Sequence, residues 1–420
     1  MTAAEQAFRD LATRSDRCFW LDGGGARPWS GQRSLLGALA PEDVSLTYDA
    51  SRREVLRHVS GASTVVGDDV FEALAEAVAA DDGDPSVHWV GYLGYACRPD
   101  LPAHVAGASP TRVPDAVWMR VRDPLVLTHP PTSWRKGAAG GHEPLPISGV
   151  PGWYDDAFAA VQEQLHAGNS YEVNLTYREA FTSAADPVHT YLRLRALNPA
   201  PYAGFLRHGG THLLSSSPER YATVDRRRRL ETRPIKGTTP RGTTSADDAA
   251  LAQALAADPR YRAENLMIVD LLRNDLSMVC APGSVTVPEL MAVESYPSVH
   301  QLVSTVRGDL AEGVGTVEAL RALFPAGSMT GAPKLRTMEI VSAVEDTPRG
   351  VYSGAFGWLS ADGRADLGVV IRSLVASPAA GAWRYELGTG GGITVRSDVA
   401  SEWAETRWKA ARLRAAATDL

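Results

Sequence analysis

The chain has 420 residues, 44% of them apolar, with 42 Lys and Arg against 49 Asp and Glu for a net charge of −7. That is apolar material for one large or two ordinary domains, and the mild acidity argues against a general nucleic-acid or membrane surface while leaving room for a local basic pocket. Three cysteines, Cys18, Cys97 and Cys280, are far apart with no Cys-x-x-Cys pair, which excludes a disulfide framework and a cysteine zinc site and points to the reducing cytoplasm. No run reaches 18 apolar residues, and the first seventeen are charged with no apolar centre, so neither a membrane span nor a signal peptide is expected.

Residues 1–130 alternate short apolar runs (CFWL at 18–21, VHWVGYLGY at 87–95) with turn clusters, which predicts strands, with one helix near 69–80. This N-terminal region is expected to interleave with the rest rather than stand alone. Residues 131–152 are rich in Pro, Gly and Ser and read as a linker or long loop. From 153 to 420 lie the chemistry-bearing segments. A helix is predicted over Tyr154–Ala167 and strands from Tyr171 onward.

The stretch ETRPIKGTTPRG at 231–242 holds Lys236 between Pro234-Ile235 and Gly237. By itself it is an ordinary loop lysine. Two predicted strands precede it, Arg220–Val224 and Leu230–Arg233, with four arginines at 226–229 between them. A hairpin turning at 227–228 makes those arginines a solvated tip rather than a nucleic-acid patch. It also sets Glu219 and Lys236 opposite one another, and opposed residues in an antiparallel pair have β-carbons about 5 Å apart. A carboxyl and an amine then share a site.

Asp258-Pro259 opens a predicted helix whose apolar stripe is Ile268, Leu271 and Leu272, with Glu264 at its edge. A last helix over 399–416 carries Glu402, Glu405 and Lys409 at i, i+3 and i+7. At about 100° per residue these share one face, although Glu405 and Lys409 alone read as a surface ion pair. Between the predicted strand 383–387 and that helix runs GTGGGITVRSD at 388–398. It is either a flexible turn or a cradle whose backbone N–H groups approach a carboxylate. It matches neither the P-loop nor the Rossmann pattern. PAGSMTGAPK at 325–334 precedes another predicted helix and offers a second anion site.

Nine segments, SYEVNLT (170–176), SPERY (217–221), RPIKGTTPRG (233–242), AENLMIVDLLRNDL (263–276), SYPSVHQLVSTVRG (295–308), FPAGSMTGAPKLRTMEI (324–340), YSGAFGWLS (352–360), VVIRSLV (369–375) and GTGGGITVRSDVASEWAETRWKA (388–410), occur in one chain. In that order they resemble the chorismate-utilising enzymes, which include anthranilate, isochorismate, salicylate and aminodeoxychorismate synthases. The resemblance covers about 150–415 and extends weakly to the N-terminal part. It implies an α+β fold like that of anthranilate synthase component I, with two large antiparallel sheets packed face to face and helices outside.

Lysine at 236 resembles the aminodeoxychorismate synthase component I branch, where anthranilate and salicylate members carry alanine. That implies a transferase that aminates chorismate on the way to 4-aminobenzoate, with Lys236 as nucleophile, Glu219 as general acid and His300 near the reacting ring. Such a lysine must be neutral to attack. The resemblance also implies Mg2+ on Glu264, Glu402 and Glu405, and substrate contacts from Asn174, Thr330, Gly331, Arg372, Gly390, Gly391, Gly392 and Lys409. Isochorismate members carry a water-activating lysine where this chain has Glu172, which favours amination over hydration. Arg273 and Asp275 are expected in structural ion pairs. Tyr261 stands where relatives have an acid, and LDGGG replaces the usual LDS of members that bind tryptophan, so no tryptophan regulation is expected. No Gly-x-Cys-x-Gly nucleophile segment is present, so ammonia is expected from a separate glutamine amidotransferase subunit or from ammonium. The alternatives are an anthranilate-type lyase and a catalytically silent binding subunit.

Overall fold

The computed structural model describes residues 2–23, 32–107, 113–129, 149–296 and 299–418. Most of the segment expected to be a linker lies outside them. Among the described residues the strands form two antiparallel sheets of nine and twelve strands, an α+β architecture. Both sheets draw on early and late parts of the chain. In the smaller, Arg17–Asp22 pairs with Tyr202–His208. In the larger, Val87–Leu93 lies between Ala116–Arg122 and Ala355–Ser360.

The sheets face each other across one apolar layer. Phe19, Leu206 and Leu213 of the smaller sheet pack with Val90, Tyr92, Val117, Met119 and Phe356 of the larger. Contact is close enough that a β-carbon at Gly204 would stand 2.6 Å from the Phe356 ring, so this position needs glycine. Helices cover the outer faces. Ala3–Arg14, Pro187–Leu197 and Val399–Ala417 bring Phe8, Tyr191 and Leu413 onto Trp20, Phe205 and Tyr385 of the smaller sheet. Val70–Ala79, Pro259–Ser277 and Thr316–Leu323 cover the larger. Phe8 is fully buried, and truncating such an aromatic to alanine costs about 3–5 kcal/mol.

Two helix starts position the site. Asp258 accepts hydrogen bonds from the Arg260 and Tyr261 N–H groups with Pro259 in the first turn, and Asp398 accepts from the Ser401 N–H. Each satisfies orphan donors at a helix N-terminus. Glu264 and Glu402 therefore fall within the first two turns of their helices.

The structure corrects two local expectations. The hairpin is present, its turn closed by the Arg228 N–H donating to the Asp225 carbonyl at 2.9 Å. A register shift then puts Arg220 opposite Arg233, so Lys236 does not oppose Glu219. It belongs to the next strand, Ile235–Pro240, which pairs with Val299–Asp309. The glycine run is not a loop either. Gly388–Gly392 lie inside the strand Ala382–Ile393 and pair residue for residue with Arg178–Asn174.

Candidate active site

A cavity of about 400 Å3 is walled by both sheets, by the helices Pro259–Ser277 and Val399–Ala417, and by Ser328 and Met329. Four carboxylates (Glu219, Glu264, Glu402, Glu405) and four cations (Lys236, Arg260, Arg372, Lys409) line it. The neighbouring strand Ser373–Ala379 pairs with Ala382–Ile393 only as far as Leu387. Beyond that point the glycine segment presents one backbone edge to the cavity, and Lys409 Nζ donates to the Gly390 carbonyl at 2.8 Å. Glycine is needed here for approach: a β-carbon would stand 2.1 Å from the Tyr352 ring at Gly388 and 2.3 Å from the Leu175 carbonyl at Gly390.

Glu219 is buried and accepts a hydrogen bond from Ser328 Oγ at 2.5 Å. Burial pushes its pKa up to about 7, against the pull of Ser328, Lys236 and Lys409, so the carboxyl holds a proton near neutrality. Lys236 is buried with its ammonium against Glu172 Oε1. Burial disfavours the charge, but Glu172, Glu264 and Glu219 outweigh it and hold the pKa above its ordinary value. The resting lysine is therefore charged, not neutral as its expected role requires.

On the opposite wall Arg260 bridges two helices. Its Nε donates to Glu264 Oε1 at 3.1 Å and its Nη2 to Glu402 Oε1 at 2.8 Å. Burial raises Glu264 to about 7 and raises Glu402 as well. Glu405 is held low, first of all by Lys409 at 2.7 Å. Arg372 lies with its guanidinium 5.0 Å from the Trp408 ring, and burial lowers its pKa to about 10. A buried arginine on an aromatic face remains a cation and offers a planar fork to a carboxylate.

Of the residues expected in the site, Lys236, Glu219, Glu264, Glu402, Glu405, Arg372, Lys409, Asn174 and Gly390–Gly392 line this cavity. His300, Thr330 and Gly331 do not. His300 hydrogen-bonds Ser295 and Asp248 through its two ring nitrogens, and its strand neighbour Gln301 lines the cavity instead. Successive strand residues point to opposite faces. Thr330 turns back onto the Gly327 carbonyl at 3.2 Å, and Gly331 pairs with Val173. Asp275 pairs with Lys334 at 2.7 Å and Arg273 with Asp270 at 3.1 Å; Lys334 is thereby withdrawn from the expected second anion site.

Sequence reasoning missed Arg260, Ser328, Gln301 and Trp408. Arg260 and Glu264 stand at i and i+4 and form an ion pair, a spacing that was readable. Gln301 lines the cavity and its Oε1 is buried with no hydrogen-bond partner among the described residues, which no local pattern announces.

The family model described as chorismate binding enzyme matches residues 150–415. The chain belongs to the chorismate-binding enzymes. It is 39% identical to an aminodeoxychorismate synthase of Streptomyces griseus over 98% of this chain and 62% of that protein. It is 44% identical to aminodeoxychorismate synthase component 1 of Klebsiella aerogenes over 62% of this chain and 56% of that one. To anthranilate synthase component 1 of Streptomyces coelicolor the identity is 35%, over 88% of this chain and 81% of the relative. The chain thus spans about three-fifths of the length of the Streptomyces griseus relative. Among solved structures, anthranilate synthase component I from Streptococcus pneumoniae aligns with TM-score 0.74 at 25% identity, over 93% of each chain. The menaquinone-specific isochorismate synthase of Escherichia coli shares the fold with TM-score 0.64, 18% identity and 99% coverage of both.

Magnesium, implied by the resemblance to chorismate-utilising enzymes, fits this chorismate-binding chain in donor chemistry. Glu264, Glu402 and Glu405 supply carboxylate oxygens to one cavity wall, as a hard divalent cation prefers. Two of them are desolvated enough to have raised pKa values. As they stand, no group of three acidic, His or Cys side chains among the described residues is set to hold a metal. The Arg260 guanidinium lies between Glu264 and Glu402 and supplies the balancing charge.

Proposed function

We propose that this chain aminates chorismate at C4 to 4-amino-4-deoxychorismate, as component I of an aminodeoxychorismate synthase, in the cytoplasm and with ammonia from a separate glutamine amidotransferase. The observation that carries this reading is Lys236, a buried lysine in the same cavity as a carboxyl that keeps its proton near neutrality. Direct displacement of a C4 hydroxyl by ammonia is difficult, and a covalent step divides it into two easier ones. Lys236 attacks C2, the C1=C2 pair moves to C1=C6 and the C5=C6 pair to C4=C5, and the C4 oxygen leaves as water with the Glu219 proton. Ammonia then adds at C4, the two ring double bonds return to C5=C6 and C1=C2, and the bond from C2 to Lys236 breaks. The ammonium formed at C4 gives one proton back to Glu219.

Arg372, Lys409 and the open edge of Gly390–Gly392 face the cavity where the two carboxylates of chorismate require cations and N–H donors. Asn174 is fixed among them, its side-chain amide donating to the Met329 carbonyl at 3.2 Å while its backbone carbonyl accepts from Arg349 at 2.8 Å. Magnesium, when held by Glu264, Glu402 and Glu405, would supply positive charge for the ring carboxylate.

The test is to incubate the purified chain with chorismate, magnesium chloride and ammonium chloride and to identify the product by mass. A product that keeps the enolpyruvyl group and gains an amine supports the proposal. Anthranilate with released pyruvate would make the chain a lyase, and no turnover with an added glutaminase would make it a binding subunit.

A further inference from the structure

Glu172 begins the strand Glu172–Ser183 and is 1% exposed. Its Oε1 contacts Lys236 Nζ, while its Oε2 is buried with no hydrogen-bond partner among the described residues. A buried ion pair kept for stability is ordinarily completed by further hydrogen bonds, because each unsatisfied polar atom adds to the desolvation cost. This pair lacks that completion. Transfer of one proton from nitrogen to oxygen removes both charges of this contacting pair at once.

The surrounding wall is shaped around the pair. A β-carbon at Gly392 would stand 2.2 Å from Glu172 Oε1 and 3.2 Å from Lys236 Nζ, so the glycine leaves the space the two side chains fill. Among nearby carboxyls, Glu219 must keep its proton for the leaving oxygen, and Glu264 is engaged by Arg260. Glu172 is the carboxylate in contact with the ammonium.

We infer that Glu172 is the catalytic base that takes the proton from Lys236 and so creates the attacking amine. The inference rests on the nucleophile reading of Lys236. An Nζ proton passes to Glu172, leaving a neutral amine and a neutral carboxyl. The freed lone pair forms the bond to C2 while both ring double bonds shift and the C4–O bond breaks. When ammonia has added at C4 and the bond from C2 to Nζ breaks, its electron pair returns to nitrogen and Glu172 gives the proton back. No external acid, base or oxidant is consumed.

The experiment compares the wild-type chain with Glu172→Gln, Glu172→Asp and Lys236→Ala, each checked by thermal melting, in amination of chorismate with ammonium chloride and Mg2+ from pH 7 to 9.5. Glutamine fills the same space but cannot accept a proton from an ammonium. The expected loss in Glu172→Gln at pH 7 is roughly 10²–10⁴-fold, the usual contribution of a positioned base. Its rate relative to wild type should recover about tenfold per pH unit as hydroxide frees the amine instead. In that ratio the Glu219 ionisation and the ammonia concentration cancel. Glu172→Asp keeps a carboxylate and should fall between the two; it decides the matter if the glutamine variant does not fold.

Glu172→Gln at or above the wild-type rate, with Lys236→Ala inactive, overturns the inference while leaving the nucleophile in place. It would mean that the carboxylate merely holds the lysine charged. Equal inactivity of folded Gln and Asp variants at every pH would reduce Glu172 to a structural role. An active Lys236→Ala overturns the nucleophile reading itself and this inference with it.

Discussion

Glu219 has one short hydrogen bond, from Ser328, and a pKa raised by burial to about 7. Turnover that needs its proton should fall as pH rises through about 7, checked by an initial-rate profile on a chorismate excess. Ser328→Ala removes a donor that favours the ionised form, so the falling limb should move to higher pH. Glu219→Gln should lower the rate roughly 10²–10⁴-fold. It should also stabilise the fold selectively. A carboxyl whose folded-state pKa is raised contributes stability that is complete below its unfolded value and lost as pH rises through the folded one. Glutamine removes that loss, by about 3 kcal/mol at pH 8. Melting curves should therefore show a gain at pH 8 and little change at pH 4, where both side chains are neutral. At this scale residue identity was readable but direction was not. Lys236, Glu219 and the three acidic candidates line the cavity. His300, one residue from Gln301 on a strand, faces away, because the side-chain period of a strand reverses at each step.

The strand Ala382–Ile393 supplies the cavity's glycine edge, and the helix Pro259–Ser277 brings Arg260 and Glu264 to its wall. Helix starts were legible because Asp258-Pro259 and Asp398 are capping residues whose chemistry is local. The glycine run was not legible as a strand, since glycine is depleted there. What keeps it extended is pairing with Arg178–Asn174, a contact about 200 residues away in sequence. Gly392→Ala should therefore disturb catalysis more than folding: the added methyl meets the Glu172 and Lys236 side chains, so turnover should fall by at least tenfold, while stability changes by about 1–3 kcal/mol, as added core methyls usually do. On the helix, Arg260 supplies a guanidinium to Glu264 and Glu402. Arg260→Gln should tighten Mg2+ binding measured by calorimetry on the chain without substrate, because the metal no longer displaces a cation. Unchanged or weaker binding would show that Arg260 does not compete for those carboxylates.

Across the whole molecule, the fold was legible through ordered segments rather than through periodicity. The register shift in the 220–233 hairpin and the pairing of early with late strands lie beyond any local pattern. That pairing has a mechanical consequence. Residues 153–420 alone would lose Arg17–Asp22 and Val87–Leu93 from inside the two sheets, exposing unpaired edges and the remaining apolar layer of Leu206, Leu213 and Phe356, which Phe19, Val90 and Tyr92 no longer cover. Such a fragment should show no cooperative melt by circular dichroism and should be digested under conditions that leave the full chain intact. The chemistry proposed for the intact chain depends on a bond between Lys236 and the substrate, which can be sought directly. The chain is mixed with chorismate and Mg2+ with ammonium omitted, quenched in acid, and its intact mass and peptides are measured. The expected result is a gain equal to chorismate less one water, mapped to the peptide containing Lys236 and absent from Lys236→Ala. An adduct mapped elsewhere, or amination by Lys236→Ala at the wild-type rate, would contradict it.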